Sequence, residues 1–445
     1  MPIARVHTEL FLFSGFDKMM TSQLKIAQET NFDIETVKRY VSQNYDEVVG
    51  FYKTNFLRSA FQPIFSIAHR RIVGYEALIR GQNRQGTNIS PFEIFSSDKS
   101  ERAVVFLDRL CRYIHLGNFQ FIGDDINWLY LNLTPSSVCN RRKYGLYFEE
   151  LLNEYDFPPS RVVVEIVEHP IQNEELLMDA VKYYRDLGCL IAIDDFGAGY
   201  SNFNRVWTLS PHVVKLDRSM IEQASRDIRI KELFPGIVSL LHQAGSLVLI
   251  EGIETEEQAI ISMDSDADFV QGYYFARPME SMDAIRKYRF PFGELFDTYK
   301  TISIEKEKSG KHHLLRHNKL IRQVINMLKK GHPLEEACRF LEEEESVIRC
   351  YLLLPDGRQI GNTVMSKRGL NDVDQRFKPL EDAKSADWFR RHYLRRAIVH
   401  PDQMQITRPY LSITGGHMCI TMSIMFLTSE GDRVFCCDLI DDKND

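Results

Sequence analysis

An α/β chain centred on a parallel (β/α)8 barrel of the TIM type is what this sequence predicts, on two observations. Between residues 61 and 278, short β-branched apolar runs alternate with longer segments whose apolar residues recur at helical intervals. Seven acidic or amide residues, Glu76, Asn132, Glu165, Asp194, Asp195, Glu251 and Gln271, stand at or just after the ends of those runs. Polar oxygens at successive strand ends are the sequence pattern of a metal-centred site at the mouth of a barrel.

Residues 1–55 read as a helical segment, because Phe32, Ile34, Val37, Tyr40 and Val41 keep helical spacing and Val48 and Val49 follow one to two turns on. The barrel is assigned to 56–295. Its strands are expected at 61–67, 72–79, 129–133, 162–167, 190–193, 213–216, 247–250 and 269–275, with helices at 102–116, 174–187, 220–242 and 256–263. About eight such runs close a barrel. A connecting helix is placed at 296–335, where Leu314, Ile321, Val324, Ile325 and Leu328 share one face. Residues 336–445 read as a separate α+β unit: a hairpin over 351–364 around Pro355-Asp356-Gly357, a helix over 388–398, and strands ending at Ile440.

Composition narrows the function. The 445 residues carry 55 basic and 62 acidic side chains, a net charge of −7, which argues against a general electrostatic partnership with DNA. No apolar stretch approaches the roughly 20 residues that span a bilayer, and no signal-like start is seen, so a cytoplasmic protein is expected. The eight cysteines are scattered and expected to be reduced, with Cys436 and Cys437 filling a core.

At one barrel mouth, Glu76, Glu165, Asp194, Asp195 and Glu251 would repel one another as bare carboxylates. Divalent cations remove that difficulty, and hard oxygen ligands without His or Cys point to Mg²⁺ or Mn²⁺ rather than zinc. Adjacent Asp194 and Asp195 suit two ions. Such a pair, about 3.5–4 Å apart, binds a phosphate diester and activates a water. Lys215, two residues before Asp217, is placed to orient that water or neutralise phosphate oxygens. Phe196-Gly197-Ala198-Gly199-Tyr200-Ser201 lacks the lysine and spacing of a P-loop and reads as a mobile turn beside the site. Any one acidic strand end is more often a cap or a solvated charge; the combination is what carries the reading.

Glu76-Ala77-Leu78, inside Gly74-Tyr75-Glu76-Ala77-Leu78-Ile79-Arg80, resembles the signature of the EAL-domain phosphodiesterases, which hydrolyse the bacterial messenger cyclic di-GMP. The resemblance spans residues 61–278. It includes Gln62-Pro63-Ile64, Asn132-Leu133-Thr134-Pro135, Glu165-Ile166-Val167-Glu168, Asp194-Asp195-Phe196-Gly197, Lys215-Leu216-Asp217-Arg218, Glu251-Gly252-Ile253-Glu254 and Gln271-Gly272-Tyr273. It implies a barrel that opens cyclic di-GMP to linear pGpG with two Mg²⁺ or Mn²⁺ ions. In that scheme Glu76, Asn132, Glu165 and Asp194 hold one ion, and Asp194, Asp195 and Asp217 surround the other. Lys215 and Glu251 handle the water, and Gln271 completes the shell. Gln62, Leu78 and Arg80 contact the dinucleotide, and Glu168 and Glu254 steady the glycine-containing loop.

The departures from the family pattern are Gly81, Val167, Ala198 and Ile250, none of which removes an oxygen ligand. The competing reading is a non-catalytic cyclic di-GMP receptor or interaction module, in which lost ligands would be expected. No diguanylate cyclase signature accompanies the set. The last unit resembles PAS-like or Cache-like sensory domains through Asp387-Trp388-Phe389, Arg408-Pro409-Tyr410-Leu411, Thr414-Gly415-Gly416 and Cys419-Ile420-Thr421-Met422-Ser423. It would take an unknown ligand or serve in dimerisation. A homodimer joined through the 304–330 helix is expected, and His312, His313 and His317 are expected to be exposed rather than metal-binding.

Overall fold

The structure, a computed structural model, describes residues 32–97, 100–139, 147–167, 174–199, 203–371, 386–412 and 418–440, without the side chains of 139, 309–314, 370 and 371. Residues 1–31, Glu168, Tyr200, Ser201, Thr414-Gly415-Gly416 and the side chains of His312, His313 and Leu314 lie outside it. The chain divides into two compact units, Met1–Tyr299 and Lys300–Asp445.

The first unit begins differently from the helical expectation. After a five-residue helix, Ile34–Lys38, capped by Asp33, come strands β1 (Val41–Gln43) and β2 (Val48–Tyr52). The run Val48-Val49-Gly50-Phe51-Tyr52 is β-branched and aromatic, and strand pairing satisfies it better than a helix would. The hairpin is held by Asn118, whose amide bonds both the N–H and the carbonyl of Val48, at 2.8 and 2.7 Å.

The barrel strands are β3 (Asn55–Ser66), β4 (Arg71–Gln82), β6 (Trp128–Leu133), β7 (Val162–Val167), β8 (Leu190–Phe196), β9 (Val213–Leu216), β10 (Leu247–Ile250) and β11 (Phe269–Val270); β5 (Asn88–Ile89) edges β4. They follow the order β3-β11-β10-β9-β8-β7-β6-β4 and close through a β3–β4 pairing. β3 is antiparallel to both its neighbours in the barrel, whereas the others run parallel, so the barrel is mainly parallel with one reversed strand. The turn at residues 67–70 is too short for a crossover and forces the reversal. The expected helix over 220–242 is two, Arg218–Arg226 and Ile228–Gln243, because Asp227 is extended (φ −124°, ψ 117°) and caps the second.

Barrel strands are buried on both faces, which explains their near-continuous apolar sequence. Side chains alternate with period two, so inward positions follow from the core. Ile64, Tyr130, Val163, Ala192, Val213, Leu249 and Phe269 form one interior cluster. Two residues along each of these strands toward the mouth stand Gln62, Asn132, Glu165, Asp194, Lys215, Glu251 and Gln271. Glu76, opposite Gln62 in the β3–β4 register, adds the eighth position. A polar layer thus rests directly on an apolar one.

The second unit carries a six-stranded antiparallel sheet. Its strands are β12 (Val347–Leu353), β13 (Gln359–Met365), β14 (Gln405–Ile406), β15 (Tyr410–Leu411), β16 (Met418–Thr428) and β17 (Gly431–Ile440). The helix Phe292–Lys329 leads into it. Ile321, Val324, Ile325 and Leu328 of that helix are buried against Val347, Ile424, Phe426 and Phe435 of this chain's own sheet. His317 is likewise buried, not exposed, with Nε2 2.6 Å from Ser346 Oγ. Cys436 and Cys437 fill the core as expected.

Beneath this sheet Arg349 Nε donates to Asp438 Oδ2 at 2.7 Å, with Thr421 donating to Oδ1. Burial opposes the Arg349 charge, but Asp438 outweighs it and holds the pKa above the usual range. Arg349→Leu, which strands the Asp438 carboxylate, is expected to destabilise this unit by roughly 3–5 kcal/mol in chemical denaturation. The double variant with Asp438→Leu should recover part of that loss.

Candidate active site

Lys215 is the centre of the polar layer. Its side chain is 1 % exposed, and its ammonium touches Glu165 Oε1 and lies 2.6 Å from Glu251 Oε1, 2.9 Å from Asp194 Oδ1 and 3.6 Å from Glu76 Oε2. Burial works against the lysine's charge, but Asp194, Glu165, Glu251 and Glu76 together raise its pKa well above the ordinary value. Burial also drives Glu165 and Glu251 well above the carboxylate range, with Lys215 opposing and the neighbouring carboxylates adding to the rise. One ammonium cannot balance so many carboxylates in a desolvated pocket.

Asp194 and Asp195 are neighbours that in a regular strand would point to opposite faces. The β8–β9 register slips between Ile193 and Phe196, and Asp195 takes φ +57°. This bulge turns Asp195 to the same side, at a local cost that Asp bears better than most residues. Carboxylate oxygens of Asp194, Asp195 and Glu251 then lie within 4.8 Å of one another, as do those of Glu76, Glu165 and Glu251. Glu251 belongs to both groups.

Burial, with Asp194 beside it, pushes the Asp195 carboxyl up to about 6. The unfolded value is about 4, so the fold keeps a proton that the unfolded chain has released. The associated stability is present below about pH 4 and is lost as pH rises through about 6. Asp195→Asn should therefore shrink the fall in melting temperature between pH 4 and 6, measured in EDTA.

The amides complete the layer. Glu76 accepts from Asn132 Nδ2 at 3.2 Å and from Gln271 Nε2 at 2.7 Å, and Gln62 Nε2 donates to the Ala276 carbonyl at 3.1 Å. Gln62, Glu76, Glu251 and Gln271 line a cavity of about 170 Å³ with Arg218, Tyr273 and Glu254. Glu254 is paired with Arg218 at 2.7 Å. Asp217 caps the helix Arg218–Arg226 through Ser219 and lies outside both carboxylate groups. Leu78 and Arg80 continue the Glu76 face of β4 but do not line the cavity, and Arg80 Nη1 donates to the Ile79 carbonyl at 2.8 Å.

Gly272 has no room for a side chain, since a Cβ there would overlap the Ile253 backbone. Gly272→Ala is expected to lower stability by about 3 kcal/mol, read from the denaturation midpoint, and to displace Gln271.

The sequence reading missed Tyr130. Its hydroxyl is buried without a hydrogen-bond partner beneath the carboxylates, and burial, then Glu165, holds it protonated. Apolar neighbours in β6 disguise it as core. Arg218 and Tyr273, which also line the cavity, belong to Lys215-Leu216-Asp217-Arg218 and Gln271-Gly272-Tyr273, where the sequence alone assigns them no role.

The residues fit divalent cations. Both Glu165 oxygens, Asp194 Oδ1, Glu251 Oε1 and Gln271 Oε1 are buried without a hydrogen bond of good geometry. Lys215 approaches three of them closely, yet Glu165 Oε2 lacks even that. Oxygen donors without imidazole or thiolate suit Mg²⁺, Mn²⁺ or Ca²⁺.

The family model of the EAL domain matches residues 50–278. The chain belongs to the EAL-domain family. The cyclic di-GMP phosphodiesterase RocR of Pseudomonas aeruginosa is 33 % identical over 159 residues, 36 % of this chain and 40 % of RocR. The EAL-domain protein YkuI of Bacillus subtilis is 26 % identical over 335 residues, 73 % of this chain and 79 % of YkuI. The crystal structure of YkuI with its substrate c-di-GMP and calcium superposes with a TM-score of 0.72 at 23 % identity, covering 86 % of this chain and 96 % of that one, which supports the fold. The chain spans 40 % of RocR and 28 % of YkoW of Bacillus subtilis, so the match to those relatives is to a part of each. Among the described residues no helix is long and apolar enough to cross a membrane.

Proposed function

We propose that this EAL-domain protein hydrolyses cyclic di-GMP to pGpG with two Mg²⁺ or Mn²⁺ ions. The observation that carries the reading is the polar layer in which two carboxylate groups share Glu251 and none of the family's oxygen ligands is lost.

Glu76, Asn132, Glu165 and Asp194 would hold one ion, and Asp194, Asp195 and Asp217 the other. Bound there, the ions supply Lewis acidity toward the phosphodiester and a water acidified enough to act as nucleophile near neutral pH. The chain's own groups do the rest. With the ions bound, their charge and the Lys215 ammonium would offset the burial that favours a protonated Glu251, leaving its carboxylate to accept the proton of the attacking water. Lys215 keeps that carboxylate in place and donates toward phosphate oxygens. Gln271 fixes Glu76 through its amide and offers Oε1 to the mouth. Gln62, Leu78 and Arg80 position the dinucleotide, Arg80 by a phosphate. Glu168 and Glu254, the latter paired with Arg218, would steady the glycine-containing loop. The unit Lys300–Asp445 would regulate the barrel as a PAS-like sensor, a reading supported by its antiparallel sheet and flanking helices.

The purified chain should convert cyclic di-GMP to pGpG in Mn²⁺ or Mg²⁺, followed by chromatography. Tight binding of the dinucleotide without product in either metal would overturn hydrolysis and favour the receptor.

A further inference from the structure

The end of the barrel away from the carboxylates holds a larger cavity, about 650 Å³, within the range of small-molecule sites. It is walled by the end of β3, the start of β4, residues 122–127 before β6, and residues 286–292. That face of a barrel ordinarily serves stability.

Its chemistry is two-sided. One wall is an aromatic block in which Phe65 and Phe292 are buried and back the half-buried Phe290: Phe65 lies 6.0 Å from Phe290 and 5.8 Å from Phe292, and Phe290 meets Phe292 edge-on at 5.0 Å. The rim carries four exposed guanidinium groups. Arg71 Nη1 reaches only the Ile72 carbonyl at 3.3 Å and Asn127 Oδ1 at 3.5 Å, and Arg289 Nη1 donates to two backbone carbonyls. Arg286 Nε donates to the Met282 carbonyl, and Arg70 stacks over Phe296 at 4.3 Å. Among the described residues none of the four lies in a salt bridge. Of the two carboxylates in the lining, Asp124 is already engaged with Arg161 at 3.5 Å and with the backbone of Ile126 and Asn127, and Asp125 is solvent-exposed, acts on Arg161 and makes no salt bridge to the four arginines. Arginine forks without carboxylate partners beside an apolar ring wall match a ligand with a planar ring and a phosphate.

We propose that this cavity binds a small anion bearing a planar ring, of the nucleoside monophosphate class, separately from the carboxylate site. The half-buried Phe290, backed by Phe65 and Phe292, takes the ring and the arginine rim takes the phosphate. The site is independent of the proposed hydrolysis.

The test is calorimetric titration of the full-length protein with GMP in EDTA, with guanosine and inorganic phosphate as separate arms. GMP should bind at least tenfold more tightly than either fragment. The Arg71→Gln/Arg289→Gln variant should lose at least tenfold, and Glu76→Ala should bind as wild type does. Both arginines are exposed, so the variant should fold, and an unchanged melting temperature checks this. GMP no tighter than phosphate, no binding of GMP, or binding lost in Glu76→Ala but kept in the arginine variant would each overturn the proposal.

Discussion

Lys215→Met is expected to cost the metal-free protein roughly 3–5 kcal/mol and to abolish turnover. The ammonium is the cation set among Glu76, Glu165, Asp194 and Glu251, and both Lys215 and Glu165 are essentially inaccessible to water. Without it, buried carboxylates must either take up protons or face one another uncompensated. The melting temperature in EDTA should fall by on the order of 10 °C, given the few degrees that each kcal/mol is worth in a unit of this size. Mn²⁺ should then raise it by more in the variant than in the wild type, because the ion supplies the missing positive charge. Equal melting temperatures in EDTA would mean that the carboxylates are already neutral without the lysine.

Glu76→Ala should lower kcat/KM by roughly 10³-fold, the rate equivalent of several kcal/mol of lost transition-state stabilisation. Glu76 contributes to one of the two carboxylate groups and also accepts from Asn132 and Gln271, so its loss removes an ion ligand and frees both amides. Circular dichroism and the melting temperature should stay near wild type, because Glu76 is only partly buried. Retained turnover in a folded Glu76→Ala protein would remove this carboxylate from the chemistry.

The barrel was legible because two periodicities coincide. Apolar runs marked its eight strands, and a polar residue two positions beyond each interior one marked the mouth. The strand-end rule was less good for Glu76, which sits in the middle of the long β4, where the parallel pairing with β6 ends although the strand continues against β3. What escaped the sequence was set by tertiary contacts. The β1–β2 hairpin mimics helical spacing, and its pairing with β3 and the bonds from Asn118 decide against a helix. His317 looked solvent-exposed within a charged segment, yet Ser346 and the sheet bury it. The bulge at Asp195 is a register event, and nothing in Asp194-Asp195 announces it except the pair itself. Tyr130 needs the barrel interior to be recognised, since only there does its hydroxyl come under the field of the carboxylates.

Manganese binding and cyclic di-GMP turnover, measured on the same wild-type preparation as metal is titrated from EDTA, test the central claim most directly. Two ions per chain should bind, with turnover appearing as the second site fills and vanishing again on chelation. Turnover that persists in EDTA, or a polar layer that binds no Mn²⁺ at all, would contradict it.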